Sequence, residues 1–106
     1  MKIITYNKLV RDRIPEIIEK YGNKCSTEIL SDEEYIEMLD KKLDEELIEY
    51  HKDKNIEELA DLLEVVFACT QARGFSLEDL EKVRKDKSKN RGSFSKKILL
   101  KEVIEE

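Results

Sequence analysis

The sequence predicts a mainly α fold: a helical hairpin or bundle core with short extended segments at the N- and C-terminal ends, completed by oligomerisation. Three observations lead there. The chain has only 3 Gly and 1 Pro in 106 residues, too few for a many-turned β fold. Hydrophobic residues make up 40% and charged residues 42%, a balance that fits helices with broad solvated faces. Helix-opening residues stand at Ser31 (with Glu34), Asn55, and Ser76 (with Asp79), each ahead of a periodic run. One domain, residues 1–106, accommodates this length.

In chain order, residues 2–5 are short and partly β-branched, which predicts a brief strand or an extended arm. Lys8, Arg11 and Arg13 follow in a segment without a clean period. They either contact phosphates, with Asp12 orienting an arginine, or are ordinary surface charges. Ile14 to Gly22 reads as a short helix: Pro15 suits the first turn, Glu16 favours the N-terminal end, and Gly22 closes it. Lys24 to Leu30 alternates weakly and is expected to be extended, pairing with the N-terminal arm. Ser31 and Glu34 form a capping box for a long helix reaching about Lys52. Asn55 opens the next helix, which runs to about Arg73 and is stopped by Gly74. Ser76 and Asp79 start a third long helix that ends near Asn90 to Gly92. Ser93 to Ile104 is expected to be a strand followed by a frayed end.

The same composition narrows the classes of function. No apolar run approaches about 18 residues, so no transmembrane helix is expected. The first residues carry no signal-peptide core. Cys25 and Cys69 make neither a disulfide framework nor a zinc motif, which fits thiols in a reducing cytoplasm. The net charge of −5 is unevenly spread. Residues 28–64 hold 15 acids and 4 bases; residues 82–97 hold 8 bases and 1 acid. An acidic middle suits a metal, and a basic segment suits phosphates. The basic run is otherwise a solvated helix face. Nucleic acid is disfavoured as a partner, because Phe94 is the only ring in that run.

The chemistry is expected in the hairpin, Lys42 to Cys69. Glu46 and Glu49 precede the turn near Lys52–Asn55; Glu58 and Asp61 follow it. Residues three apart share a helix face. With a rise of about 1.5 Å per residue, Glu49 and Glu58 stand at similar heights above the turn, as do Glu46 and Asp61. Antiparallel packing brings these four carboxylates to one patch, an all-oxygen set suited to Mg²⁺ or Mn²⁺. Acidic pairs three apart recur along this chain, and most such pairs are solvated faces. Two features set the hairpin apart. Glu46 replaces an apolar residue in the stripe Ile36, Leu39, Leu43, Tyr50, where a carboxylate is costly unless paired or metal-bound. Asp61 lies in a run, Leu59 to Cys69, that is apolar on most sides and is expected to be buried. A chain this short buries a limited core alone, so a partner subunit is expected to cover part of that helix.

These residues resemble the all-α NTP pyrophosphatase superfamily, the MazG-like and phosphoribosyl-ATP pyrophosphohydrolase-like proteins. The family pattern of EExxE followed by ExxD stands here as Glu45-Glu46-Leu47-Ile48-Glu49 and Glu58-Leu59-Ala60-Asp61. The opening YNKLVRDRIPEIIEK is similar to the start of a compact stand-alone subgroup, and Lys87 to Phe94 resembles that subgroup's K…RGGF segment. Ser93 departs from it, standing where the subgroup usually has a second Gly. The resemblance implies a cytoplasmic homo-oligomer, dimer or tetramer. It implies hydrolysis of a nucleoside triphosphate between the α and β phosphates, giving monophosphate and pyrophosphate. Housecleaning of non-standard nucleotides is a family-level expectation. Glu46, Glu49, Glu58 and Asp61 would hold Mg²⁺, with Glu45 supporting those ligands or holding a second ion. Lys87, Asn90 and Arg91 would hold the leaving phosphates, and Lys8, Arg11 and Asp12 would belong to the nucleotide site.

In such a site the ion neutralises phosphate oxygens and makes water more acidic. Glu45 or Glu49 would accept the proton as general base. Lys87 and Arg91 would stabilise charge on the departing pyrophosphate. No Walker loop is present. A di-iron bundle needs Glu-x-x-His, but the only histidine, His51, follows Ile48 at that spacing and is expected at the exposed turn. Two alternatives remain: phosphoribosyl-ATP hydrolysis, and a non-catalytic helical oligomer with a regulatory role.

Overall fold

Local capping decides where the helices begin. The computed structural model describes residues 2–106. It contains α1 (Ile14–Lys20), α2 (Asp32–Asp53), α3 (Ile56–Ala72) and α4 (Leu77–Arg91). Ser31 Oγ accepts from the Glu34 amide at 3.2 Å, and Glu34 Oε1 accepts from the Ser31 amide at 3.4 Å. Ser76 and Asp79 exchange the equivalent pair of bonds, both at 3.0 Å. Asn55 Oδ1 accepts from the Glu58 amide at 3.0 Å. Each cap satisfies helix-end amides that otherwise lack a partner. At the far end of α3, Gly74 takes a φ of 88° and its amide donates to the Gln71 carbonyl, which stops the helix.

The hairpin follows from a two-residue connection. Lys54 adopts the left-handed conformation at φ 49° and directs its amide to the Tyr50 carbonyl; Asn55 then caps α3. So tight a joint sends α3 back along α2, and these two helices form the principal packing of the molecule. Leu39 on α2 and Val65 on α3 are the buried hydrophobic residues among those described, 4% and 8% exposed. The α4 helix packs against α3 where it leaves it, and α1 packs against none of the other helices. His51 lies exposed in the last turn of α2, as expected.

Two expectations are corrected. No strand is present among the described residues: residues 2–5 form an arm without regular structure, the alternative given for them; 24–30 does not pair with it; and no strand forms in 93–104. Short β-branched or alternating segments need a neighbouring strand, and none lies beside them. Gly22 closes the first helix as expected: it takes a φ of 87°, and its amide donates to the Glu19 carbonyl just past Lys20. The apolar helix is not buried within the single chain; Leu59 and Leu63 of α3 remain 45% and 50% exposed. The radius of gyration is 18.8 Å, against about 13 Å for a compact domain of this length. Packing α2 against one side of α3 leaves the opposite stripe open. Among the described residues no helix is long and apolar enough to cross a membrane. Cys25 and Cys69 are free thiols.

Candidate metal and phosphate site

The hairpin brings the expected acids together as two overlapping groups. Oxygen atoms of Glu46, Glu58 and Asp61 lie within 4.8 Å of one another, and so do those of Glu49, Asp53 and Glu58. Glu58 belongs to both. The Asn55 cap fixes its place in the first turn of α3, facing the last turns of α2. All four predicted carboxylates are therefore gathered. Asp53 joins them without having been predicted: α2 continues through Asp53, placing it one turn beyond Glu49 on the same face. The sequence signal for it is the spacing of four, which placing the turn at Lys52–Asn55 concealed.

Glu58 shows the electrostatic consequence. Partial burial, then Asp61, Asp53, Glu49 and Glu46 in turn, hold its pKa above the ordinary 4.5. An acid in the first turn of a helix is normally favoured in its charged form by the helix dipole. Here desolvation and four like charges outweigh that effect.

The donors are all carboxylate oxygens, the chemistry of hard divalent cations. Two ligands on opposite sides of Mg²⁺ stand about 4.2 Å apart, and the flexible Mn²⁺ and Ca²⁺ shells are wider. The spread of up to 4.8 Å is on that scale. Each group of three, Glu46 with Glu58 and Asp61 and Glu49 with Asp53 and Glu58, thus offers the type of donor that a divalent ion takes.

Cations from the N-terminal arm meet the same cluster. Lys8 Nζ donates to Glu45 Oε1 at 3.1 Å, and Arg11 Nη2 donates to Asp61 Oδ1 at 2.7 Å. Lys42, which sequence analysis did not single out, donates to Glu45 at 3.3 Å and pairs with Glu46 at 3.5 Å. Burial raises the Glu45 pKa, but the Lys8 and Lys42 bonds overcome it and hold the group below its ordinary value. Glu45 in turn raises the pKa of Lys8, by hydrogen bond and by charge. Asp12 does not orient an arginine among the described residues, because Arg13 pairs with Glu16 and Arg11 with Asp61. Lys87, Asn90 and Arg91 lie exposed on the last two turns of α4 and make no ion pair with the acids among the described residues. No part of α4 packs against α2.

These shifts set opposite pH windows for the metal-free protein. Glu58 binds its proton more tightly folded than unfolded, so stability falls as pH rises from 4.5 through its raised pKa. Glu45 binds its proton less tightly folded, so its contribution is present above 4.5 and is lost as pH falls through its lowered pKa. In EDTA, melting temperature is expected to decline on both sides of the ordinary carboxyl range, and Glu58→Gln is expected to remove the decline on the alkaline side. Melts between about pH 3 and about pH 7 check this. Equal slopes for wild type and Glu58→Gln would contradict it.

No family model matches the chain, and no solved structure matches it. An uncharacterized protein of Mycolicibacterium smegmatis is 55% identical over 42 residues. That match spans 40% of this chain and 43% of the relative's length.

Proposed function

We propose that the protein is a Mg²⁺-dependent nucleoside triphosphate pyrophosphohydrolase that cleaves between the α and β phosphates and works in the cytoplasm. The observation carrying this reading is the pair of overlapping carboxylate groups across the α2–α3 hairpin, joined at Glu58. The resemblance of Glu45–Glu49, Glu58–Asp61 and the flanking basic segments supplies the reaction class. Glu46, Glu49, Glu58 and Asp61 hold the ion, which when bound neutralises phosphate oxygens and acidifies water.

The chain's own residues divide the remaining work. Glu45 is a poor proton acceptor, because Lys8 and Lys42 both donate to it and hold its pKa down. Glu49 makes no ion pair among the described residues, and the oxygen it does not give to the ion accepts the proton as general base. Lys87, Asn90 and Arg91 stabilise the departing pyrophosphate. In one chain they make no ion pair with the acids among the described residues, and the α3 stripe is open. An oligomer answers both points: a second copy covers Leu59 and Leu63 and brings another α4 over the carboxylates.

The test is product identity. Purified protein with Mg²⁺ is offered standard, deoxy and modified triphosphates and phosphoribosyl-ATP, and products are separated by ion exchange. Monophosphate and pyrophosphate are expected, dependent on Mg²⁺ and absent with Glu46→Ala. Diphosphate and orthophosphate would refute α–β cleavage. Turnover of phosphoribosyl-ATP alone would favour the histidine-pathway reaction.

A further inference from the structure

The N-terminal arm is tied to the acidic cluster by charge. Its apolar residues do little to hold it: Ile3, Ile4 and Tyr6 are all exposed. The arm has no regular structure, and the α1 helix that follows packs against no other helix. Among the described residues, the side-chain bonds that join it to the hairpin are Lys8 to Glu45 on α2 and Arg11 to Asp61 on α3. Two cations three residues apart therefore clamp both helices of the hairpin. Arg11 sits on an oxygen of Asp61, and Asp61 belongs to the group of carboxylates that fits a divalent ion.

We propose that Lys8 and Arg11 form an ionic latch that holds the arm on the metal-free acidic cluster, and that a divalent cation opens it. The inference rests on the metal reading above. An ion taken up by Asp61 withdraws the charge that attracts Arg11 and adds a like charge beside it. Neither latch bond is deeply buried: side-chain exposure is 43% and 33% for Lys8 and Glu45, and 58% and 42% for Arg11 and Asp61. Exposed pairs of this kind are weak, so a metal can displace them. Once released, both side chains are available to phosphate oxygens. Metal binding thereby prepares the cations that receive the substrate, and the empty site stays closed to stray anions.

Mn²⁺ alone is the first probe, with free ion followed by electron paramagnetic resonance. Arg11→Ala is expected to bind Mn²⁺ about 2- to 5-fold more tightly than wild type, the scale of one exposed ion pair. Arg13→Ala removes the same charge from the arm, but its guanidinium sits on Glu16, so Mn²⁺ affinity is expected to stay unchanged. Inorganic pyrophosphate is the second probe. Mn²⁺-loaded Arg11→Ala is expected to bind it more weakly than wild type, opposite in sign to the Mn²⁺ effect. Trypsin reports the arm directly, since it must draw the Lys8 or Arg11 side chain into its own pocket. Mn²⁺ is expected to speed cleavage after both residues several-fold, relative to cleavage after exposed Lys101 in the same digest. Saturable Mn²⁺ binding with unchanged cleavage would overturn the latch and leave the metal site standing. Weaker Mn²⁺ binding by Arg11→Ala, or pyrophosphate binding no weaker than wild type, would also overturn it. Absence of Mn²⁺ binding in wild type and Arg11→Ala alike would remove the metal reading and the latch together.

Discussion

Glu58→Gln is expected to lower kcat/KM for Mg²⁺-dependent pyrophosphate release by more than about 100-fold while raising the melting temperature of the metal-free protein. Losing a residue that merely supports a ligand already weakens metal sites by about 10- to 100-fold, and Glu58 is placed to be a ligand itself. It is the one carboxylate shared by both oxygen groups. Without it, Glu46 and Asp61 remain on one side, Glu49 and Asp53 on the other, with no side chain common to them. The rise in stability has a separate cause. Burial and the charges of Asp61, Asp53, Glu49 and Glu46 all disfavour ionised Glu58. A neutral amide of the same shape removes that repulsion. A misfolded variant would lose both activity and stability, so the opposite signs identify a binding defect. Pyrophosphate release and thermal melts in EDTA measure the two quantities. Glu57→Gln, at an exposed position next in sequence, is the control and is expected to leave activity intact. Full activity in Glu58→Gln would remove Glu58 from the ligand set; a lower melting temperature in EDTA would remove the repulsion.

The helices were legible because their signals are local. Ser31 with Glu34 and Ser76 with Asp79 are capping boxes within one turn, and each forms as the spacing predicts. The gathering of Glu46, Glu49, Glu58 and Asp61 was legible for the same reason, since a short connection and a fixed rise leave little freedom. Asp53 was missed by one residue at a helix end, where hydrogen bonding to the terminus rather than apolar period sets the boundary. The Arg11–Asp61 and Lys8–Glu45 pairs span 50 and 37 residues. Such contacts leave no periodic trace, so the arm's cations were read toward phosphate and its link to the acids went unseen. The strand expected in 93–104, and the pairing expected between 24–30 and the N-terminal arm, did not form because alternation describes a segment, whereas a strand needs a partner. The apolar run from Leu59 to Cys69 records that α3 has more hydrophobic surface than α2 can cover, and says nothing of what covers the rest.

Leu39→Ala is expected to destabilise the protein by about 2–5 kcal/mol, the usual range for deleting a buried leucine side chain. Leu39 is the more deeply buried of the two core residues, 4% exposed in the third turn of α2. Domains of ordinary size are stable by about 5–15 kcal/mol in total. A hairpin with so small a buried core has little to replace the lost contacts, and a fall in melting temperature of about 10 °C or more follows. Leu63→Ala supplies the contrast. Half exposed in the single chain, Leu63 there contributes well under the value of a buried leucine. If a second copy covers the stripe, Leu63→Ala approaches Leu39→Ala in effect, and its melting temperature depends on protein concentration. Thermal melts of both variants at two protein concentrations separate the cases. Leu39→Ala within about 1 kcal/mol of wild type would mean that the α2–α3 seam is not the core. A small, concentration-independent effect at Leu63 would mean that the open face of α3 stays open in solution. In that case the proposed phosphate role of Lys87 and Arg91 would require α4 to fold back within its own chain.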